Sequence, residues 1–466
     1  CKRDRRHTVN VRLSPEQILY TINHAEDDAI LVNSEFLPIL EELKDRVETV
    51  KTYILLDDDG VKGSDSLPLA GEYEELLATA PAQYDFPELD ENTRATTFYT
   101  TGTTGLPKPI VHGHGGTLIV ALALKILHND VGCSYEENSW GERYHWYSST
   151  GWVMWNAQTS GLLNGTTCVI FDGNPGGTKD KPDWTTLWRF AAEQGVTFFG
   201  AGAAFFANCL KAGVDLSTCG DLSQVRALGA TGSPLSQDAQ RWGTTQFAAI
   251  AKTEAQQDIW WCNISGGTDF AGAFIGGNRE LPQTPGRMQC QLLGCAVESW
   301  DEQGQPAIDA VGELVCTQPI PSMPLYFVGD TDNRRLIGSY FDTYPTGHGR
   351  KPGGGDLDKS AGAVWRHGDW LRIHPDGSCV IYGRSDTTLN RHALRMRTSQ
   401  FYRVAAALPE VLDLLVVDLE FLRLPSFLPP FLVLPDGVSL SHHLQRLFKA
   451  GTRHHPPPRP VPKHLI

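Results

Sequence analysis

The sequence predicts an α/β layer fold divided into more than one domain, and three observations carry that expectation. Strand-like and helical patterns alternate from the first turns of the chain. The alternation persists from about residue 145 to 385. The length, 466 residues, exceeds what one hydrophobic core organises. With 41% hydrophobic and 20% charged residues, the composition excludes a disordered, collagen-like or disulfide-stapled chain.

The elements follow in order. Ser14-Pro15-Glu16-Gln17 is a helix start, with Ser as N-cap, Pro at the first helical position and Gln three residues after the cap. Ile18, Leu19 and Ile22 form that helix's apolar face, and Ala29-Ile30-Leu31-Val32 is a short buried strand. Phe36, Leu40, Leu43 and Val47 recur at helical spacing, and Tyr53-Ile54-Leu55-Leu56 is strand again. This rhythm implies parallel strands joined by right-handed crossovers. Asp57-Asp58-Asp59-Gly60 reads as a solvated turn and not a metal site, since no further ligand spacing follows. A short helix is expected around Glu72–Leu77, and Ala95–Tyr99 is a β-rich run. Cys168-Val169-Ile170-Phe171 and Val196-Thr197-Phe198-Phe199 are further strand candidates, and residues 346–362 read as an exposed loop. The character shifts after Gly383-Arg384-Ser385-Asp386, which predicts a large domain over 1–384 and a small one over 385–466.

Charge narrows the functional classes. Forty basic against 54 acidic side chains give −14, without the cationic footprint that duplex nucleic acid demands. Any anion must therefore be held by a local device. The ten cysteines are scattered, with no C-x-x-C, and read as buried thiols in a reducing compartment. No apolar run approaches the ~20 residues of a membrane span, and the basic start lacks an apolar segment behind it. The expected location is cytoplasmic, and the composition leaves oligomeric state open.

That local device is Thr100-Thr101-Gly102-Thr103-Thr104-Gly105-Leu106-Pro107-Lys108. A strand runs into a loop whose small residues let backbone N–H groups and hydroxyls surround phosphate oxygens, and Lys108 adds a mobile cation. It is not a Walker A loop, because Pro109 stands where a magnesium-binding hydroxyl would be. His112 and His114 flank it and read as structural histidines.

Later segments extend the pattern: Gly229-Ala230-Thr231-Gly232-Ser233-Pro234, Ile264-Ser265-Gly266-Gly267-Thr268-Asp269, Gly312-Glu313-Leu314-Val315, His367-Gly368-Asp369-Trp370 and Gly383-Arg384-Ser385-Asp386. In order and spacing these motifs resemble the adenylate-forming superfamily of acyl-CoA synthetases. Ser149 to Asn156, Gly294 to Asp301 and Thr388-Leu389-Asn390-Arg391-His392 are similar to its acetoacetyl-CoA synthetases, a likeness spanning roughly residues 100–440. Residues 8–108 instead resemble medium- and long-chain acyl-CoA ligases, which suggests a mosaic.

The resemblance implies that family's fold: a large multi-sheet domain and a smaller, mobile α+β domain hinged at Ser385-Asp386. It also implies the reaction, in which carboxylate and ATP give acyl-adenylate and pyrophosphate, and the thiol of coenzyme A then displaces AMP. Lys108 and Thr100 to Gly105 would hold the β/γ-phosphates. Gly232, Ser233 and Pro234 would contact adenine, and Gly267 would belong to the second nucleotide motif. Thr268 would bond the α-phosphate, and Asp269 would help place Mg2+. Asp369 and Arg384 would take the ribose and Arg395 a phosphate. Trp152, Met154, Asn156 and Gly266 would line a pocket for a small carboxylic acid, acetoacetate first, with His392 and Ala393 on the coenzyme A path. Measured against that pattern, the first sheet strands and a late lysine segment are absent, so the small domain reads as truncated and adenylation as impaired. Ala393 and Arg397 stand where the pattern has glycines, which crowds the pantetheine path. Two alternatives stay open at this stage: a medium-chain fatty acyl-CoA ligase, and a catalytically impaired nucleotide-binding homologue.

Overall fold

The computed structural model describes residues 6–9, 11, 13–57, 66–100, 108–132, 141–178, 181–252, 254–345, 362–385, 389–391, 394–396, 404–405, 408, 410–411, 413–416, 430–435, 437 and 439–453. The first helix, Pro15–Ala25, begins as its cap chemistry dictates. The Ser14 side chain accepts from the Gln17 backbone N–H, and the Gln17 side chain returns the bond to the Ser14 backbone. Ile18, Leu19 and Ile22 are buried against Val32, Tyr53 and Leu55. The strands Ala29–Asn33, Thr52–Leu56 and Leu69–Glu72 form a parallel sheet, as the strand–helix rhythm predicts. The helical run from 36 to 47 is broken into 3-10 turns around a helix at Leu37–Leu43, whose start Pro38 permits. The expected short helix is present at Tyr73–Thr79.

A second parallel sheet is the centre of the molecule. Its strand order is Trp260–Asn263, Ala227–Thr231, Phe198–Gly202, Arg143–Trp146, Thr167–Cys168. Trp188 stacks on Phe199 at 4.3 Å between centroids, and Phe206 and Phe247 close around it. On the sheet's other face the Trp146 indole fills a slot that glycines create. A Cβ on Gly200 would stand 2.1 Å from Trp146 Cε3, and one on Gly229 would stand 2.5 Å from Cζ3. The strand expected over Cys168–Phe171 is only Thr167–Cys168. It lies at the sheet edge, and beyond Val169, whose N–H bonds Tyr144 O at 2.9 Å, Ile170 turns to solvent.

The second half departs from parallel order. Val297–Trp300, Val311–Cys316, Trp365–Ile373 and Cys379–Arg384 form an antiparallel sheet. Arg94–Thr100 and Lys108–Gly113 pair antiparallel across the Thr/Gly loop, flanked by Arg6–His7 and Tyr326–Phe327. Towards the end of the chain, Val404, Ala405, Val411, Leu414, Leu444 and Phe448 make a separate apolar cluster. Strands Asp413–Val416 and Pro430–Val433 and helix His442–Arg453 supply most of it. The predicted loop at 346–362 lies, but for residue 362, outside the described residues, as do Asp58, Asp59 and Gly60. The described cysteines are free thiols, and no described helix is long and apolar enough to cross a membrane.

Candidate active site

The sheets converge on a cavity of about 850 Å³. Its walls include Thr100 from the strand before the Thr/Gly loop, Trp152, Met154 and Asn156 from the helix Val153–Thr159 and the residue before it, Gly232, Gly266, Gly267, Thr268 and Asp269, and Arg384. Sequence motifs more than 280 residues apart thus face one space. The turn at Gly232 has φ +87°, a left-handed conformation that suits glycine, and it sits where a Cβ would stand 3.5 Å from the Trp152 ring. Ser233 and Pro234 follow it outside the cavity wall. Thr101, Gly102, Thr103, Thr104 and Gly105 lie outside the described residues, as do His392, Ala393 and Arg397. Arg395 sits in the strand Leu394–Met396 paired with Leu389–Arg391, and only its backbone is described.

Asp269 is the electrostatic centre. It sits in the 3-10 turn Thr268–Phe270, which closes on Ala271 at φ +49°. Burial by itself would raise its carboxyl. The facing His367, the Tyr340 hydroxyl donating to Oδ1, Lys108 and Arg384 outweigh that and hold its pKa below the usual carboxylate value. Lys108 Nζ stands 3.7 Å from Asp269 Oδ1 and 4.8 Å above the Tyr340 ring. Tyr340 is itself fixed by stacking on Trp365, 3.8 Å between centroids.

Asp369 and Arg384 are cross-strand partners in the antiparallel sheet. Arg384 Nη1 stands 3.9 Å from Asp369 Oδ1, and His367 Nε2 stands 3.4 Å from Oδ2. The Trp365 indole Nε1 stands 3.4 Å from His367 Nδ1. One step further, Ser385 Oγ donates to Glu313 Oε1 at 2.7 Å while Arg366 reaches both, at 3.2 Å to Glu313 Oε2 and 3.2 Å to Ser385 Oγ. Burial raises the Glu313 carboxyl even so.

His112 is structural, as expected. Its ring nitrogens face Ser322 O at 2.9 Å and Thr268 O at 3.1 Å, and burial lowers its pKa to about 4. Neutral near pH 7, the ring has one N–H to give to one of these two carbonyl oxygens, and it packs against the Thr268 turn. Tyr340, the Trp365–His367 contact and the Glu313–Arg366–Ser385 knot were not singled out from the sequence. His367 and Glu313 lay inside quoted motifs, whereas Tyr340 carried no signal, because it meets Asp269 only across 71 residues.

The model of the AMP-binding enzyme family matches residues 6–327. The chain belongs to the AMP-binding enzyme family. Among solved structures, this AMP-binding enzyme is similar to acetoacetyl-CoA synthetase from Streptomyces lividans, at TM-score 0.81 and 36% identity, over 97% of this chain and 65% of that one. It is similar to the acetoacetyl-coenzyme A synthetase of Rhizobium meliloti at 34% identity, over 79% of this chain and 51% of the relative. The acetoacetyl-CoA synthetase of Caenorhabditis elegans is 29% identical, over 96% of this chain and 60% of the relative. The chain thus spans about half to three fifths of the length of these curated relatives. An anthranilate CoA ligase solved with anthranoyl-AMP, 15% identical at TM-score 0.74, shares the fold.

Proposed function

We propose that this chain carries the adenylating site of an ATP- and Mg2+-dependent acid–thiol ligase whose first-choice acid is acetoacetate. The observation that carries this reading is the single cavity in which Thr268, Asp269 and Arg384 face Trp152, Met154 and Asn156. A charged, polar wall and a largely apolar wall meet there, as joining a nucleotide to a short acid would need. The likeness to acetoacetyl-CoA synthetases supports the choice of acid.

In the first half-reaction a carboxylate oxygen attacks the α-phosphorus of ATP, and the bond to pyrophosphate breaks. Lys108, at the end of the Thr/Gly loop, neutralises charge on the leaving pyrophosphate, and the Thr268 hydroxyl donates to the α-phosphate. Asp369 accepts from the ribose hydroxyls, with Arg384 donating beside it, and Arg395 adds a cation for phosphate. Among the described residues no three His, Cys, Asp or Glu side chains gather as metal ligands. One ionised carboxylate, Asp269, fits Mg2+, which is commonly bound by one or two carboxylates plus substrate phosphates. The ion would supply charge neutralisation on the phosphates. The bulk of Trp152 and Met154 favours a short acid over a fatty chain. In the second half-reaction the coenzyme A sulfur attacks the acyl carbon and AMP leaves, along a path on which we place His392 and Ala393.

We further propose a large domain over 1–384 and a small domain over 385–466 that rotates between the half-reactions. The separate cluster around Leu414 and Phe448 supports the small domain. The Glu313–Arg366–Ser385 knot supports a hinge immediately after it. A cytoplasmic location and a small-molecule acid as the partner, without nucleic acid, complete the proposal. The test is release of AMP and pyrophosphate from ATP, Mg2+ and coenzyme A with acetoacetate or octanoate. Turnover on acetoacetate above octanoate is expected. Octanoate preference would shift the reading to a medium-chain ligase. ATP binding without release on either acid would leave a nucleotide-binding homologue.

A further inference from the structure

The helix His114–Ala123 along the cavity ends in a π-helical turn, Leu124–His128. Such turns carry one residue too many per turn and often occur at functional sites. Here the turn carries Lys125, a lysine that is 1% exposed and yet contributes to the cavity wall with Met154, Asn156 and Ala157. Its Nζ donates to Ala157 O at 2.8 Å and stands 3.2 Å above the centre of the Tyr144 ring. One carbonyl and one aromatic face are all that the described residues provide. No carboxylate pairs with the ammonium among them, and the groups nearest in charge are the thiols of Cys168 and Cys262. The Tyr144 hydroxyl is also buried without a hydrogen-bond partner among the described residues.

A buried ammonium with three N–H donors and one carbonyl acceptor is under-satisfied. Burial accordingly lowers the Lys125 pKa to about 7. An apolar acid tail beside it would leave that deficit in place. An oxygen acceptor on the acid would remove it and would favour the charged form.

We propose that Lys125 is a specificity residue of the acyl pocket, whose ammonium receives an oxygen on the acid's chain beyond the reacting carboxylate, as a 3-oxo group or a second carboxylate supplies. The inference rests on the adenylation reading above and extends it from a short acid to a short acid with an oxygen beyond the reacting end. Lys125 acts on binding, and no covalent step is assigned to it.

The experiment compares three acids of four carbons in acid-dependent exchange of pyrophosphate into ATP: acetoacetate, succinate and butyrate. It uses the full chain and its Lys125→Met and Lys125→Arg variants. Methionine, one heavy atom shorter, replaces most of the lysine stem and needs no partner, so that variant is expected to fold, and its melting temperature checks this. In the wild type, kcat/KM for one oxygenated acid should exceed that for butyrate by about 10- to 100-fold. Which of acetoacetate and succinate leads tells an oxo acceptor from a carboxylate. In Lys125→Met the ratio should fall to about threefold or less, and Lys125→Arg should restore part of it. An unchanged ratio in Lys125→Met overturns the proposal. Absence of exchange with every acid in the wild type overturns the adenylation reading instead. The Lys125 inference is then decided by thermal stabilisation with the same acids. Stabilisation by an oxygenated acid that Lys125→Met abolishes supports it, and its absence or its persistence in the variant overturns it.

Discussion

Replacing Asp369 tests the ribose assignment most sharply. The carboxylate sits in the strand Trp365–Ile373 with Arg384 3.9 Å from one oxygen and His367 3.4 Å from the other. The His367 contact is at the long end of hydrogen bonding and the Arg384 contact is an ion-pair distance, and a carboxylate offers about four lone-pair sites, of which the ribose reading uses two. A hydrogen bond to a charged group contributes about 1.5–3 kcal/mol net of its exchange with water, and the lower end suits a carboxylate already contacted by His367 and Arg384. Two such bonds come to about 3 kcal/mol, roughly a 150-fold loss of ATP affinity in Asp369→Ala. Asp369→Asn keeps the shape and one acceptor oxygen, and about tenfold is expected. Calorimetric titration of ATP into the protein without acid reads these values directly. A second titration with 2′-deoxy-ATP closes a cycle: the wild type should lose about tenfold, and Asp369→Ala should lose nothing further. A folded Asp369→Ala that binds ATP within threefold of wild type would refute the reasoning, as would a full 2′-deoxy penalty persisting in that variant.

Other consequences follow from the same contacts. Trp152→Ala should open the wall beside Gly232 and shift the kcat/KM profile towards six-carbon acids by about 10- to 100-fold relative to acetoacetate, read from a chain-length series. Burial holds His112 and His145 neutral at pKa values of about 4, below the 6.5 of an unfolded histidine. Between those values the unfolded chain binds protons that the folded chain does not, so stability is full above pH 6.5 and falls as pH drops towards 4. Each ring accounts for about 3 kcal/mol of that loss, and His145→Phe, which also removes an Nε2 without a hydrogen-bond partner among the described residues, should cut the acid-induced loss in urea unfolding by about that much. Ser385→Ala leaves Glu313 and Arg366 without their shared hydroxyl and should lower urea stability by about 1–2 kcal/mol.

The parts legible in the sequence were those governed by local chemistry. The Ser14 cap, the parallel order of the first strands and the motifs of Thr268, Asp269, Asp369 and Arg384 all arise from neighbours within a few residues. Strand direction in the second half was not legible, because the continuous burial of Val311–Cys316 and the partly alternating burial of Trp365–Ile373 are the same whichever way the partner runs. The run at Cys168–Phe171 read as a strand on its apolar residues, although a ladder also needs a neighbour, and the sheet edge supplies none past Val169. Tyr340 and Lys125 were invisible for a different reason. Their roles depend on what the fold brings to them, a carboxylate 71 residues away for one and a helix carbonyl 32 residues away for the other.

The slot that holds Trp146 also constrains how this protein can change over generations. Gly200, Gly229 and the indole occupy one volume, so no one of them can be enlarged alone: a methyl on either glycine collides with the ring. A lineage can acquire alanine at these sites only after the tryptophan has shrunk, and shrinking it first passes through an intermediate with a void at the centre of the sheet. The order of substitutions is therefore restricted by geometry. Three positions, on three neighbouring strands and up to 83 residues apart in sequence, are bound into a single inherited unit.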